Sequence, residues 1–360
     1  MRARGDDPAV SNPPPPNARP LTSKEVFDRA VAAADAGRHE EAERLLRMAF
    51  KAAGGPQIQV TLGITLDLMG RYEEARAILR GVAATAADEP RLGLPLALNL
   101  LRSGDYAEGW RFYEGRDIQM TRHVSGKPKL SFPEWQGEPV RSLVVLPEQG
   151  FGDEIMFNRY VPLLKARGIE VTLLCRPNMP RLFALLGVRL VPLGPSVEVP
   201  RADAWVLAAS LPHRLGTEPD TVPDAVYLPG GAPRAGLGVM AVGSAAPDPR
   251  RVLPPQLAER LLALPGAVNL DPQVTGAQDF EDTRQLIEPL ALVISVDTAI
   301  AHLAGAMGKP CWTLLPFVPD WRWGLGERSP WYPQMRLFRQ RDADDWSEVV
   351  ARVEQAFAAA

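Results

Sequence analysis

Residues 142–168 read "SLVVLPEQGFGDEIMFNRYVPLLKARG", and this stretch decides the fold of most of the chain. "SLVVLP" is a short apolar run, as expected of a strand buried on both faces. "EQGFGDEI" follows, with two glycines and an acid. Gly150 and Gly152 let the backbone turn sharply and let another group approach closely. The segment "EIMFNRYVPLLKARG" then reads as one amphipathic helix. Strand, glycine turn and helix together form half of a parallel βαβ unit. Asp153 falls at the helix start, where the positive end of the helix dipole favours a carboxylate. It can serve there as a cap or as a chemical group.

The same alternation continues in both directions from this unit. "EVTLLC", "VRLVPL" and "AWVLAASL" read as strands, with the helix "MPRLFALLG" among them. Around residue 229 "LPGGAPRAG" marks a hinge. A second series follows: "LGVMAV", the helix "PPQLAERLLAL", "AVNL", the helix "FEDTRQLIEPL", "LVISV", "AIAHLAGAMG" and "PCWTLLP". Two such series predict two doubly wound parallel sheets facing a cleft, spanning 141–232 and 233–360. Ligands bind such sheets beyond the carboxyl ends of the strands, where the loops 148–154 and 295–302 lie.

The first third is different. "AGRHEEAERLL", "MGRYEEARAIL" and "SGDYAEGWRFY" align with one another, and their glycines Gly37, Gly70 and Gly104 recur every 33 or 34 residues. Around each lies a helix, a glycine turn, a bulky residue two positions later and a second helix. Pro56 and Pro90 punctuate the repeat ends. This period and pattern are similar to the tetratricopeptide repeat over 21–118. Three repeats are about the minimum for a stable stack, so the array is expected to lean on the following domain. Residues 1–20 are Pro-rich and polar and read as a disordered leader, and 119–140 as a linker.

Composition excludes several classes. A net charge of −3 gives no reason to expect nucleic acid as a partner. Only six lysines stand among many arginines, which reads as compositional bias. No stretch of about 18 uncharged apolar residues exists to span a membrane. Cys175 and Cys311 sit inside apolar runs without metal-ligand spacing, as reduced core cysteines of a cytoplasmic protein do.

The second informative loop is "SVDTAIAHLAG". It places Asp297 and Thr298 after a buried strand and His302 one turn into the next helix. These types suit a sugar-nucleotide: Asp for sugar hydroxyls, Thr and free N–H groups for phosphate, His for phosphate or nearby hydroxyls. A capping Asp or Thr and a half-buried His are the bland alternatives.

The runs "GDYAEGWRFYEGR…PEWQGEP…LVVLPEQGFGDEIMFNRYVPLL" and "ISVDTAIAHLAGAMGKPCWTLLPFVPDWRW…SPWYPQMRLFRQ" closely resemble bacterial tetratricopeptide-containing glycosyltransferases. The catalytic half of these looks like the ADP-heptose glycosyltransferases of the GT-B fold. The resemblance covers nearly all of 22–356. It implies a metal-independent, inverting transferase without a cofactor, in which a nucleotide-sugar is substrate. It implies Asp153 as general base, in an acceptor loop with Gln149, Gly150 and Gly152, and Asp297, Thr298, Ala299 and His302 in the donor loop. Alanine stands at 299 where heptosyltransferases have glycine. Relatives with repeats attach sugars to proteins, notably flagellin, and eukaryotic O-GlcNAc transferases share the general architecture. A protein acceptor recruited by the repeat groove is therefore expected, with a cell-surface glycan as the alternative.

One departure stands out. Relatives carry a longer polar loop after the first strand of the C-terminal half, where this chain has "AVGSAAPDPRRVLPP". Gly243, Ser244 and Arg250 or Arg251 remain to bind phosphate. The shortening equally fits a protein that has lost activity and serves as an adaptor. "DADD" at 342–345 reads as a cap of the last helix, and Trp321, Arg322 and Trp323 as the cleft edge or an interdomain packing cluster, for which the resemblance also admits a donor-side role. Glu148 and Glu154 are the next candidates for the base. Every phosphate-suited feature follows residue 140, so the repeats are expected to select the acceptor, and removal of 1–118 to leave donor binding intact provided the truncated domain stays folded.

Overall fold

The computed structural model describes residues 21–89, 91–116, 119–121, 124–232, 235–246 and 248–359. The leader 1–20 and Pro90 lie outside the described residues. Six helices come first, in three antiparallel pairs: α1 (Ser23–Asp35) with α2 (His39–Ala53), α3 (Pro56–Leu68) with α4 (Tyr72–Thr85), and α5 (Gly93–Arg102) with α6 (Tyr106–Tyr113). Each turn places its repeat glycine in the left-handed region, with φ of 75°, 75° and 87° at Gly37, Gly70 and Gly104. A side chain at those positions would strain the backbone, which explains the spacing seen in the sequence. Thr22 caps α1 in a reciprocal capping box with Glu25.

The chain then forms a short hairpin of β1 (Gln119–Thr121) and β2 (Val124–Ser125). The expected linker is more than a spacer. Trp135 N–H donates to Trp205 O at 2.7 Å and Trp205 N–H donates to Pro133 O at 3.0 Å, so residues 133–135 line the edge of the first sheet.

That sheet has the order β5-β4-β3-β6 and is wholly parallel: β3 (Ser142–Leu146), β4 (Glu170–Cys175), β5 (Arg189–Pro192) and β6 (Ala204–Leu207). Its helices are α7 (Phe151–Phe157), α8 (Tyr160–Ala166), α9 (Pro180–Phe183) and α10 (Leu211–Arg214). The amphipathic run expected as one helix is broken at Asn158 and Arg159. Pro162 is the physical reason, since it has no N–H for the carbonyl of Asn158. Arg159 holds the break, donating to Met156 O at 2.9 Å and Trp331 O at 2.6 Å.

The second sheet has the order β11-β10-β9-β7-β8, again all parallel: β7 (Leu237–Met240), β8 (Ala267–Asn269), β9 (Leu292–Val296), β10 (Cys311–Leu315) and β11 (Met335–Arg339). Around it lie α11 (Pro255–Leu262), α12 (Pro272–Thr275), α13 (Phe280–Ile287), α14 (Ala299–Ala306) and α15 (Trp346–Ala358). Of these strands only β11 escaped the sequence reading, because arginines interrupt its apolar pattern. Asp345 caps α15 by accepting from Glu348 N at 3.2 Å, as "DADD" implied. Cys175 and Cys311 are buried and free. Among the described residues no helix is long and apolar enough to cross a membrane.

The repeats do lean on the α/β part. Tyr106, Trp110 and Tyr113 of α6 are buried against Trp321 and Trp331, with Trp110 edge-on to Trp321 at 5.3 Å. Trp110 Nε1 donates to Thr217 O at 3.1 Å, and Arg102 Nε donates to Pro319 O at 3.0 Å. One continuous apolar cluster thus runs from α6 through both sheets.

Candidate functional site

In each sheet the strand order reverses beside a central strand. In the first, β4 and β5 lie on one side of β3 and β6 on the other; in the second, β8 and β9 flank β7. The loops that part there are the ones the sequence marked.

At the end of β3 the backbone is held in an unusual shape. Gln149 has φ of 62°, a conformation that non-glycine residues rarely adopt and that other contacts must sustain. Its Nε2 donates to Tyr113 Oη at 2.7 Å, and its Oε1 accepts from Arg322 Nη2 at 2.9 Å. Gly150 precedes α7, and its N–H donates to Asp153 Oδ2 at 2.8 Å. Asp153 is therefore a cap. Its other oxygen, Oδ1, accepts from Arg322 Nη2 across the cleft.

On the facing side Thr298 caps α14, accepting from Ile300 N at 3.3 Å and bonding Ser295 Oγ at 3.1 Å. Asp297 is buried immediately before it. His302 is buried one turn in, shares a 2.9 Å hydrogen bond with Tyr332 Oη, and stacks on Trp323 at 5.1 Å between centroids. The two loops meet: a Cβ on Gly152 would lie 2.6 Å from His302 Cδ2. Only glycine permits that approach.

The shortened loop makes its polar contacts within the chain. Ser244 Oγ accepts from Ala246 N at 3.2 Å, and Gly243 lies beside Thr298 and Val296. Arg250 folds onto Asp248 in its own turn, with bonds of 2.8 Å from Nε and from Nη2. Arg251 donates to Ser244 O at 2.9 Å, Ala246 O at 2.7 Å and Asp297 O at 3.4 Å. It ties the loop to the start of α14 across the switch point. Both guanidinium groups are engaged with this chain's own oxygens.

Arg322, one of three residues the sequence puts at the cleft edge, joins the loop after β3 to the turn at Asp320. Besides Gln149 and Asp153 it bonds Asp320 Oδ1 at 2.7 Å through Nη1. Asp320 caps the short turn Trp321–Trp323 and so aims the guanidinium. Burial works to raise the Asp320 pKa, but the Arg322 charge outweighs it and leaves the pKa below the ordinary value. Asp297 moves the other way, pushed up to about 6 by burial and then by the Asp320 charge. Burial lowers His302 to about 3, reinforced by Arg322, so its imidazole is neutral at pH 7. The cleft thus assembles three aspartates, one arginine and a neutral histidine.

Glu148 and Glu154 hold other positions. Glu148 is buried, paired to Arg116 through both oxygens, and accepts from Ala209 N at 3.2 Å. It bridges the end of the repeats and both flanks of the first switch point. Glu154 pairs with Arg176 at 3.0 Å, and burial pushes its pKa up to about 7.

Similarity to known proteins agrees with the two-part organisation. Residues 33–98 match the tetratricopeptide repeat, and residues 254–354 match glycosyltransferase family 9 (heptosyltransferase). Protein FlbA of Caulobacter vibrioides is 26% identical over 400 aligned positions, covering 94% of this chain and 61% of that protein. The chain therefore spans less than two thirds of that relative's length. A glycosyl transferase family 9 structure from Veillonella parvula covers 62% of this chain and 91% of its own, at 11% identity and a TM-score of 0.36. A mutant O-GlcNAc transferase from Thermobaculum terrenum covers 94% and 86%, at 15% identity and a TM-score of 0.30. Superpositions this loose assign no residues. The chain joins a tetratricopeptide-repeat segment to a glycosyltransferase family 9 (heptosyltransferase) domain.

Proposed function

We propose that the protein is an inverting glycosyltransferase that moves a sugar from a nucleotide-sugar to an acceptor hydroxyl. The single observation that supports this most is the meeting of the two switch-point loops, where Gly152 lies against the His302 ring and Arg322 engages Asp153. In this reading the N–H groups at the start of α14, with Thr298, hold phosphate, and Asp297 faces sugar hydroxyls. Asp153 takes the acceptor proton as the acceptor oxygen attacks the anomeric carbon. The C–O bond to the nucleoside diphosphate breaks on the opposite face, and the leaving group departs with the bonding electrons, inverting configuration. No metal ion is invoked. The repeats supply a groove for the acceptor, proposed to be a cytoplasmic protein substrate of which a flagellin is one candidate.

The test is to incubate the purified full chain with a panel of nucleotide-sugars and extract from cells lacking the protein. Release of nucleoside diphosphate that depends on extract supports the proposal. No binding and no turnover of any nucleotide-sugar would sink it. The second reading, an adaptor with a disused cleft, is favoured by one observation: Arg250 and Arg251 are both occupied internally. In that case the repeats would capture their partner and no sugar would move.

A further inference from the structure

With Arg250 and Arg251 engaged in fixing their own loop, the cleft needs another cation for a leaving diphosphate. Arg322 is positioned for it. It is only 9% exposed, and the next residue, Trp323, stacks on His302 at 5.1 Å, which sets the Arg322 turn against the start of α14. It is also the group that engages Asp153 from across the cleft. Asp320 holds it through the other terminal nitrogen, Nη1, and Gln149 shares Nη2 with Asp153.

We infer that Arg322 is a shared ligand, exchanged between the Asp153 carboxylate and a diphosphate at the start of α14. This rests on the glycosyltransferase reading. A planar guanidinium suits both partners, because carboxylate and phosphate present the same paired acceptor geometry. Arrival of the diphosphate draws Arg322 away and frees Asp153 Oδ1 to accept the acceptor proton. No covalent bond changes in the exchange itself. The base is thus released only when the donor is seated, which holds back its action on an acceptor bound alone. Arg322 is then the ligand of the leaving group, and Asp320 and Gln149 are its positioning residues.

Calorimetry with the full chain tests this, using inorganic pyrophosphate and the diphosphates of uridine, adenosine, guanosine and cytidine as probes. Arg322→Gln should weaken the best-bound probe by roughly 10-fold or more, as loss of a charge-assisted contact does. Asp153→Asn removes the competitor and should tighten the probe several-fold. In the Arg322→Gln background that gain should vanish, whereas simple removal of a negative charge would tighten binding equally in both backgrounds. Unchanged affinity in folded Arg322→Gln, or an equal Asp153→Asn gain in both backgrounds, overturns the inference alone. If the wild-type chain binds none of the probes, the transferase reading fails and this inference with it. Should Arg322→Gln not fold, Arg322→Lys replaces it in the same cycle. The lysine loses the paired geometry and should shrink the Asp153→Asn gain, and an undiminished gain overturns the exchange.

Discussion

Gly152 shows how a single residue links fold to site. A methyl group there would lie 2.6 Å from the His302 ring. Neither partner can retreat, since His302 is fixed by Tyr332 and Trp323. Gly152→Ala should therefore cost about 1–3 kcal/mol of overpacking. It should also part the two loops, so that donor turnover falls by more than the stability change explains. A melting curve beside an initial rate separates the two effects. Glu148 makes the contrasting case. It is legible in the sequence only as a carboxylate near the loop, because its partner Arg116 is 32 residues away. Glu148→Gln leaves buried Arg116 with Glu114, at 3.2 Å, as its remaining counter-charge and should destabilise the chain by about 1.5–3 kcal/mol. Thermal unfolding reads this directly. An undiminished melting temperature would return Glu148 to the candidates for the base.

At the scale of elements, the strand–turn–helix units were readable because apolar runs and glycine turns are local signals. The break between α7 and α8 was also local, written in Pro162, yet the amphipathic pattern overrode it. Strand β11 was hidden by its arginines, and the role of Arg322 depends on a contact across 169 residues. The start of α14 carries an electrostatic signature that sequence does not reveal. His302 falls from an ordinary 6.5 to about 3, so its stabilising contribution is full above 6.5 and is lost as pH falls. Asp297 rises from 3.8 to about 6, so its contribution is full below 3.8 and is lost as pH rises through 6. Between those limits the two largely cancel. His302→Asn removes one side of the balance. The stability gap between wild type and this variant should narrow by about 2 kcal/mol from pH 7 to pH 5. Denaturant titrations at the two pH values measure it, and a constant gap would show that His302 titrates normally.

At the scale of the whole molecule, the repeats are not a detachable arm. Removing 1–118 would strip Tyr106, Trp110 and Tyr113 from the aromatic cluster and leave Glu148 without Arg116. Retained donor affinity is expected only of a truncated domain that stays folded, and on this packing the truncation should not fold. Removing 1–54 takes only α1 and α2 and should leave a cooperative, lower melting transition with donor affinity intact. If the repeats select the acceptor, the same truncation loses transfer, and unchanged transfer would assign acceptor choice to the α/β part. The central claim is that Asp153 acts as the base between the two loops and is more than a cap. Asn caps a helix about as well as Asp but cannot take a proton. The most direct measurement is the initial rate of sugar transfer by Asp153→Asn under conditions where the wild-type chain is active, beside its melting curve and donor titration. The account predicts a folded, donor-binding variant whose rate falls by roughly 10²–10⁴-fold. A folded variant that transfers sugar at nearly the wild-type rate would contradict it.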